Sequence, residues 1–347
     1  MSLEKLVERV TQFTVAHPLE RDCWQKAPAL SGMLAWDDPR FRADAKRWID
    51  RAVATQKSDG NLSYADFHPS PGHAKTFTPL ASETASLGVP VLDMYERTGE
   101  ARYLDSARRQ FEALLAAPRT GSGAIWSRGE GPEVWIDFTY LMCPFMARYG
   151  IAAKEPKAID MAFEQLRLYV EPLLDAKKHL ARHAWCEKPD HFPQSTFWAR
   201  GNTWLLCACV DLLSIAGDHR EAPMVREVYV KVVRAMAAHQ DASGYFMHIL
   251  DDPLSNLEAS STLMFAYAAE RGVQLGIEVP GIGQGLRERA LRAFRVVAGS
   301  VEPSGLVPGV ALVPGGPGVP FGWTLFGQGF LLLAAHVLRE QLGDFNE

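Results

Sequence analysis

The stretch Trp198 to Ile215, WARGNTWLLCACVDLLSI, is apolar on nearly every side of a helix. A helix without a polar face must be surrounded by protein, whereas a helix charged along one side can face water. Phe321 to Val337 has the same all-round apolar character, while Phe41 to Gln56 and Ala101 to Leu115 carry charges along one face. Apolar residues recur at three- and four-residue intervals in about twelve segments, and alternating β-branched runs are nearly absent. The spacing predicts helices over roughly 3–16, 23–35, 41–56, 82–98, 101–116, 134–150, 156–173, 197–215, 221–238, 259–273, 283–298 and 323–341, with even-numbered helices inside and odd-numbered ones outside.

The connections alternate too. Thr98 to Glu100, Gly150 to Glu155 and Gly217 to Arg220 are short. Long connections, over roughly 57–81, 117–133, 174–196, 239–258 and 299–322, carry Gly, Pro, His, Trp and Tyr. Six helical hairpins in a ring put every short turn at one end and every long loop at the other, where the loops build one pocket. The expected fold is therefore all-α, an (α/α)6 barrel over residues 1–347 as a single catalytic domain. No linker between two cores is visible. Pro303 to Gly322 is rich in Gly and Pro, but its PGGPG lacks the Gly-Lys-Ser/Thr of a phosphate loop and reads as a surface lid.

The chain has 347 residues, 47% of them hydrophobic, and a formal net charge of -5. Phosphate binding needs a concentrated basic surface and none is visible, so nucleic acid is not an expected partner. Cys23, Cys143, Cys186, Cys207 and Cys209 are odd in number and mostly in apolar surroundings, which fits reduced core thiols. The start, MSLEKLVERV, lacks a signal-peptide layout, and no apolar run approaches the ~18 residues of a membrane span. The expectation is a cytoplasmic protein that does not engage membranes and is a monomer or a weak homo-oligomer.

The chemistry-bearing residues gather at the starts of inner helices. Arg200 stands between the indoles of Trp198 and Trp204. An indole face can stack on a pyranose, and a guanidinium can fork onto a carboxylate, so the run suits an acidic sugar. A core Trp, a surface Arg and a glycine turn would read the same way. Asp137 has apolar or aromatic neighbours in Trp135-Ile-Asp-Phe138. Desolvation favours its neutral acid, which can give a proton near neutral pH and then act as a base. A helix N-cap is the alternative. Trp135 fits packing and a sugar platform equally.

Glu83 begins the preceding inner helix and could partner Asp137, or serve as an ordinary first-turn acid. Glu258 poses the same choice, with structure favoured. His179 and His183 are four apart, but no HExxH glutamate accompanies them, so no metal site is expected and His183 takes a hydrogen-bonding role. His68 and His73 read as loop decoration.

Val134-Trp-Ile-Asp-Phe-Thr-Tyr-Leu-Met142, Phe197-Trp-Ala-Arg-Gly-Asn-Thr-Trp204 and Leu257-Glu-Ala-Ser-Ser-Thr-Leu-Met-Phe-Ala-Tyr267 resemble segments of glycoside hydrolase families 105 and 88. Leu92-Asp-Met-Tyr-Glu-Arg-Thr-Gly-Glu100 and Pro118-Arg-Thr120 add to the match, whose order holds from about Trp24 to Leu275. The resemblance implies an (α/α)6 fold and removal of a terminal 4,5-unsaturated uronic acid, glucuronyl or galacturonyl, from small oligosaccharides left by polysaccharide lyases. It implies Asp137 as general acid and base, Arg200, Trp204, Trp135 and His183 around the sugar, and no metal or organic cofactor. Glu83 stands where Asp is common, Cys186 replaces an acid, Thr203 replaces Gly, and Ser127 stands where His is frequent. A hydrolase of saturated glucuronides, a sugar epimerase using His183 and His248, and a non-catalytic sugar-binding protein are the alternatives.

Overall fold

The computed structural model describes residues 2–18, 23–63, 80–129, 131–282, 285–313 and 315–343. His68 and His73 lie outside them. The helices are α1 (Leu3–Ala16), α2 (Cys23–Trp36), α3 (Pro39–Ala54), α4 (Ala81–Thr84), α5 (Gly88–Thr98), α6 (Ala101–Ala116), α7 (Phe138–Ala152), α8 (Pro156–Leu173), α9 (Ala199–Ala216), α10 (Ala222–Ala238), α11 (Ala259–Gln274), α12 (Gly285–Ala298) and α13 (Leu325–Leu342). Helices α2, α5, α7, α9, α11 and α13 each pack on the next, and α13 closes the ring against α2. The outer layer is α1, α3, α6, α8, α10 and α12, each against an inner neighbour. This is an (α/α)6 barrel.

Burial follows the charge pattern. Every residue of α9 from Ala199 to Val210 is buried. Helix α6 buries Tyr103, Ala107, Phe111 and Leu114 and leaves Arg102, Asp105, Arg109 and Glu112 in water. Local chemistry sets several ends: the Asp38 carboxylate accepts from the Arg40 amide ahead of Pro39, and Gly99 closes α5 at φ 70°.

Two expected helices differ. The span 82–98 is interrupted: α4 passes through a 3₁₀ turn at Ala85–Leu87 before α5 begins. A Cβ on Gly88 would lie 2.2 Å from the Phe145 ring of α7, so the chain approaches that ring as only glycine can, and Pro90 removes an amide from the restarted helix. The helix expected from 134 begins at Phe138, because Glu133–Trp135 is strand β1. The few strands are short and lie in the long connections. Strands β1, β2 (Ala184–Cys186) and β3 (His191–Gln194) form one sheet in that order. Strands β4 (Phe246–Met247) and β5 (Leu257–Glu258) pair, as do β6 (Val310–Ala311) and β7 (Phe321–Gly322). All lead to the N-terminal ends of inner helices.

Candidate active site

The three-stranded sheet brings the acid and the imidazole together. Trp135 pairs with Ala184 and Ala184 with Gln194, both antiparallel. His183 is tied on both sides: its carbonyl accepts from the Ile136 amide at 3.0 Å, and its own amide donates to Thr196 O at 3.2 Å. Asp137 follows Ile136 at the head of α7. The result places His183 Nε2 3.3 Å from Asp137 Oδ2, with the imidazole fully buried and the carboxylate side chain 16% exposed.

Asp137 occupies the N-cap position of α7, yet its side chain makes no capping hydrogen bond. That removes the cap as an explanation for this residue. Its Oδ2 and His183 Nε2 are buried and lack a hydrogen-bond partner among the described residues. They face only each other and whatever enters beside them. A carboxyl group held this way, mostly buried and free of a cap bond, can pass a proton to a ligand and recover it.

Aromatic rings wall the pair. Trp198 packs against His183 at 4.3 Å between centroids, and the Arg200 guanidinium lies 4.4 Å from the Trp198 ring. Trp135 meets His183 edge-on at 4.9 Å, donates its indole N–H to Glu133, and carries the Arg128 guanidinium 4.8 Å over its ring. The glycine-rich segment closes over this group. Gly315 has φ 86° and sits so tightly on Trp198 that a Cβ would lie 2.3 Å from the indole, while Gly316 O accepts from or faces His248 Nε2 at 2.7 Å.

Two of the expected sugar contacts are buried. Arg200 is fully buried, and its Nη1 faces Glu258 Oε1 at 3.5 Å and donates to Ala311 O at 2.7 Å and Ser260 Oγ at 3.3 Å. Its charge already has a buried partner. Burial pushes the guanidinium below its usual value, and the nearby Glu258 and Asp137 charges oppose that, which places Arg200 in the same neighbourhood as Asp137. Trp204 is 1% exposed and enclosed by Trp24, Tyr140, Phe326 and Phe330. It packs among these rings in the barrel core. Trp198, also 1% exposed, acts as a wall behind His183.

Glu258 is structural, as expected. It caps α11 through the amides of Ser260 and Ser261 and accepts from the Ala311 amide at 2.9 Å. Burial pushes its carboxyl up, but Arg200 and these donors outweigh it and hold the group below its ordinary range. Glu83 is buried in α4, which packs on α7. His248 has Nε2 engaged by Gly316 O, so it does not form a free pair with His183. Cys143, Cys186, Cys207 and Cys209 are buried free thiols. Among the described residues, no three His, Cys, Asp or Glu cluster as metal ligands would, and no helix is long and apolar enough to cross a membrane. The residue that sequence reasoning missed is Gln194, whose Oε1 lies 2.6 Å from His183 Nδ1. Nothing in the spacing of Phe192-Pro-Gln194 marks it, because strand pairing alone brings it there.

The chain belongs to Glycosyl Hydrolase Family 88, whose family model matches residues 4–339. Over 198 residues it is 27% identical to the unsaturated rhamnogalacturonyl hydrolase YesR of Bacillus subtilis, covering 55% of this chain and 58% of that one. Protein Atu3128 of Agrobacterium fabrum is 30% identical over 144 residues, 39% of this chain and 61% of the relative. These matches thus span about three fifths of the curated relatives' length. A possible member of family GH105 from Salmonella enterica superposes with a TM-score of 0.82 at 23% identity, covering 98% of this chain and 94% of the other. The unsaturated glucuronyl hydrolase of Bacillus sp. GL1, described as responsible for the degradation of glycosaminoglycan, gives a TM-score of 0.74 at 13% identity, covering 99% and 97%. At these identities the superpositions speak to the fold.

Proposed function

We propose that the protein removes a terminal 4,5-unsaturated uronic acid, glucuronyl or galacturonyl, from lyase-generated oligosaccharides by hydrating the C4=C5 double bond. The observation that carries this reading is the uncapped Asp137 carboxyl, 3.3 Å from His183 and 16% exposed. Hydration of an enol ether needs one group that gives a proton and takes one back. Asp137 gives its proton to C4, and the ring oxygen's lone pair stabilises the positive charge left at C5. Water then attacks C5 as the Asp137 carboxylate takes its proton, so the enzyme ends the step as it began. The product at C5 is a hemiketal, which opens and releases the rest of the oligosaccharide.

The names of YesR and the Bacillus glucuronyl hydrolase support the substrate class, and Glu83 is offered as a second carboxylate that helps hold the water. Hydrolysis of a saturated glucuronide would instead need two carboxylates flanking the bond. The test is to supply disaccharides made by a polysaccharide lyase and follow loss of the ultraviolet absorbance of the conjugated double bond. Bleaching with release of the neighbouring sugar supports the proposal; turnover of saturated glucuronides alone would replace it.

A further inference from the structure

His183 is held at both ring nitrogens, and the second contact decides what the first can do. Gln194 Oε1 stands 2.6 Å from Nδ1. That separation is short even for N–H···O, whose usual range is ~2.7–3.2 Å, and too short for an amide nitrogen against a ring nitrogen. The amide therefore turns its carbonyl to the ring. A carbonyl oxygen only accepts, so Nδ1 carries a proton. In a neutral imidazole that leaves the lone pair on Nε2, the atom facing Asp137 Oδ2 at 3.3 Å.

A lone pair and a bare carboxylate would repel each other in a buried contact where neither has another partner among the described residues. A proton on the carboxyl removes the repulsion. The lid holds this arrangement from the far side: Gly316 has φ 89°, and a Cβ there would lie 2.8 Å from Gln194 Oε1, so the glycine leaves the amide its place.

We propose that Gln194 is a positioning residue: by accepting the Nδ1 proton of His183 it points the Nε2 lone pair at Asp137, so that the Asp137 carboxyl holds the proton delivered to C4. The idea rests on the hydration chemistry above. The balance is simple. The Asp137 proton goes to C4, the attacking water supplies its replacement to Asp137, and Nδ1 keeps its proton throughout. Loss of Gln194 frees His183 to move its proton to Nε2, where it would hold Asp137 as the carboxylate and withhold the acid.

The experiment reads the tautomer directly. Protein with ¹⁵N-labelled histidine is examined by long-range proton–nitrogen correlation, with the His183 signals assigned by their loss in His183→Gln. Wild type is expected to show the Nδ1–H tautomer. Gln194→Leu keeps an aliphatic side chain on a partly exposed strand end and removes the acceptor; His183 is expected to switch to Nε2–H and kcat on lyase disaccharides to fall about tenfold or more, with KM changed less than about twofold. Gln194→Glu restores an acceptor and is expected to restore the Nδ1 proton and kcat to within about threefold of wild type. An Nε2–H tautomer in wild type, or a Leu variant with unaltered tautomer and turnover, overturns the proposal. A wild type with the Nδ1 proton that leaves every lyase disaccharide intact would instead sink the hydrolase reading and keep the Gln194 geometry.

Discussion

Arg200 Nη1 and Glu258 Oε1 face each other at 3.5 Å with neither side chain exposed to solvent. A buried guanidinium of this kind needs its counter-ion, because removing one member leaves an uncompensated charge and destabilises by about 3–5 kcal/mol. Glu258→Gln is therefore expected to lower the unfolding free energy by that order, measured by denaturant titration. A change within experimental error would show that Arg200 has another partner.

The same pair sets an acid limit. The folded-state value of Glu258 lies below its ordinary 4.5, so its contribution is complete above about that pH and is lost as pH falls through the folded value. Melting temperature of the wild type should drop on acidification through this window. In Glu258→Gln that part of the slope should be missing.

Asp137→Asn is expected to abolish bleaching of lyase disaccharides by about a thousandfold or more while leaving the fold intact. No capping bond is lost, because the side chain makes none. Circular dichroism melts should agree with wild type to within about 1 kcal/mol. Unaltered turnover would remove Asp137 from the chemistry.

Trp204→Ala tests the buried indole. Enclosed by Trp24, Tyr140 and Phe330, it should cost about 3–5 kcal/mol of stability, as large core truncations do. A raised KM with unchanged stability would return Trp204 to the sugar.

Gly315→Ala puts a methyl group 2.3 Å from the Trp198 indole at φ 86°. The lid cannot seat without moving, and the backbone is strained by about 1 kcal/mol besides. kcat/KM should fall at least about tenfold, with global stability changed far less. Wild-type kinetics would mean that the seated lid has no part in turnover.

The barrel was legible because its evidence is local. Whether α9 faces water or protein is written in its own residues, and the inner–outer alternation repeats along the chain. Asp137 was legible from its apolar neighbours. What stayed hidden depends on distant chain segments. Ala81-Ser-Glu-Thr-Ala-Ser-Leu87 suits one continuous helix, and the interruption comes from Phe145 pressing on Gly88. Arg200 reads as an open cation until α11 delivers Glu258 beside it. Gln194 has no signature at all, since a strand register with an irregularity between Ala184 and Cys186 carries it to His183.

His183 and Gln194 are anchored to a ribbon only three strands wide, and the helical ring mainly frames them. Changes in the turns of that ribbon can re-aim His183 and Gln194 as one piece while Asp137 stays fixed to the top of its rod. Reactivity and architecture can thus drift separately in such a chain, and a barrel that superposes well on its relatives is compatible with a different tuning of the acid at its mouth.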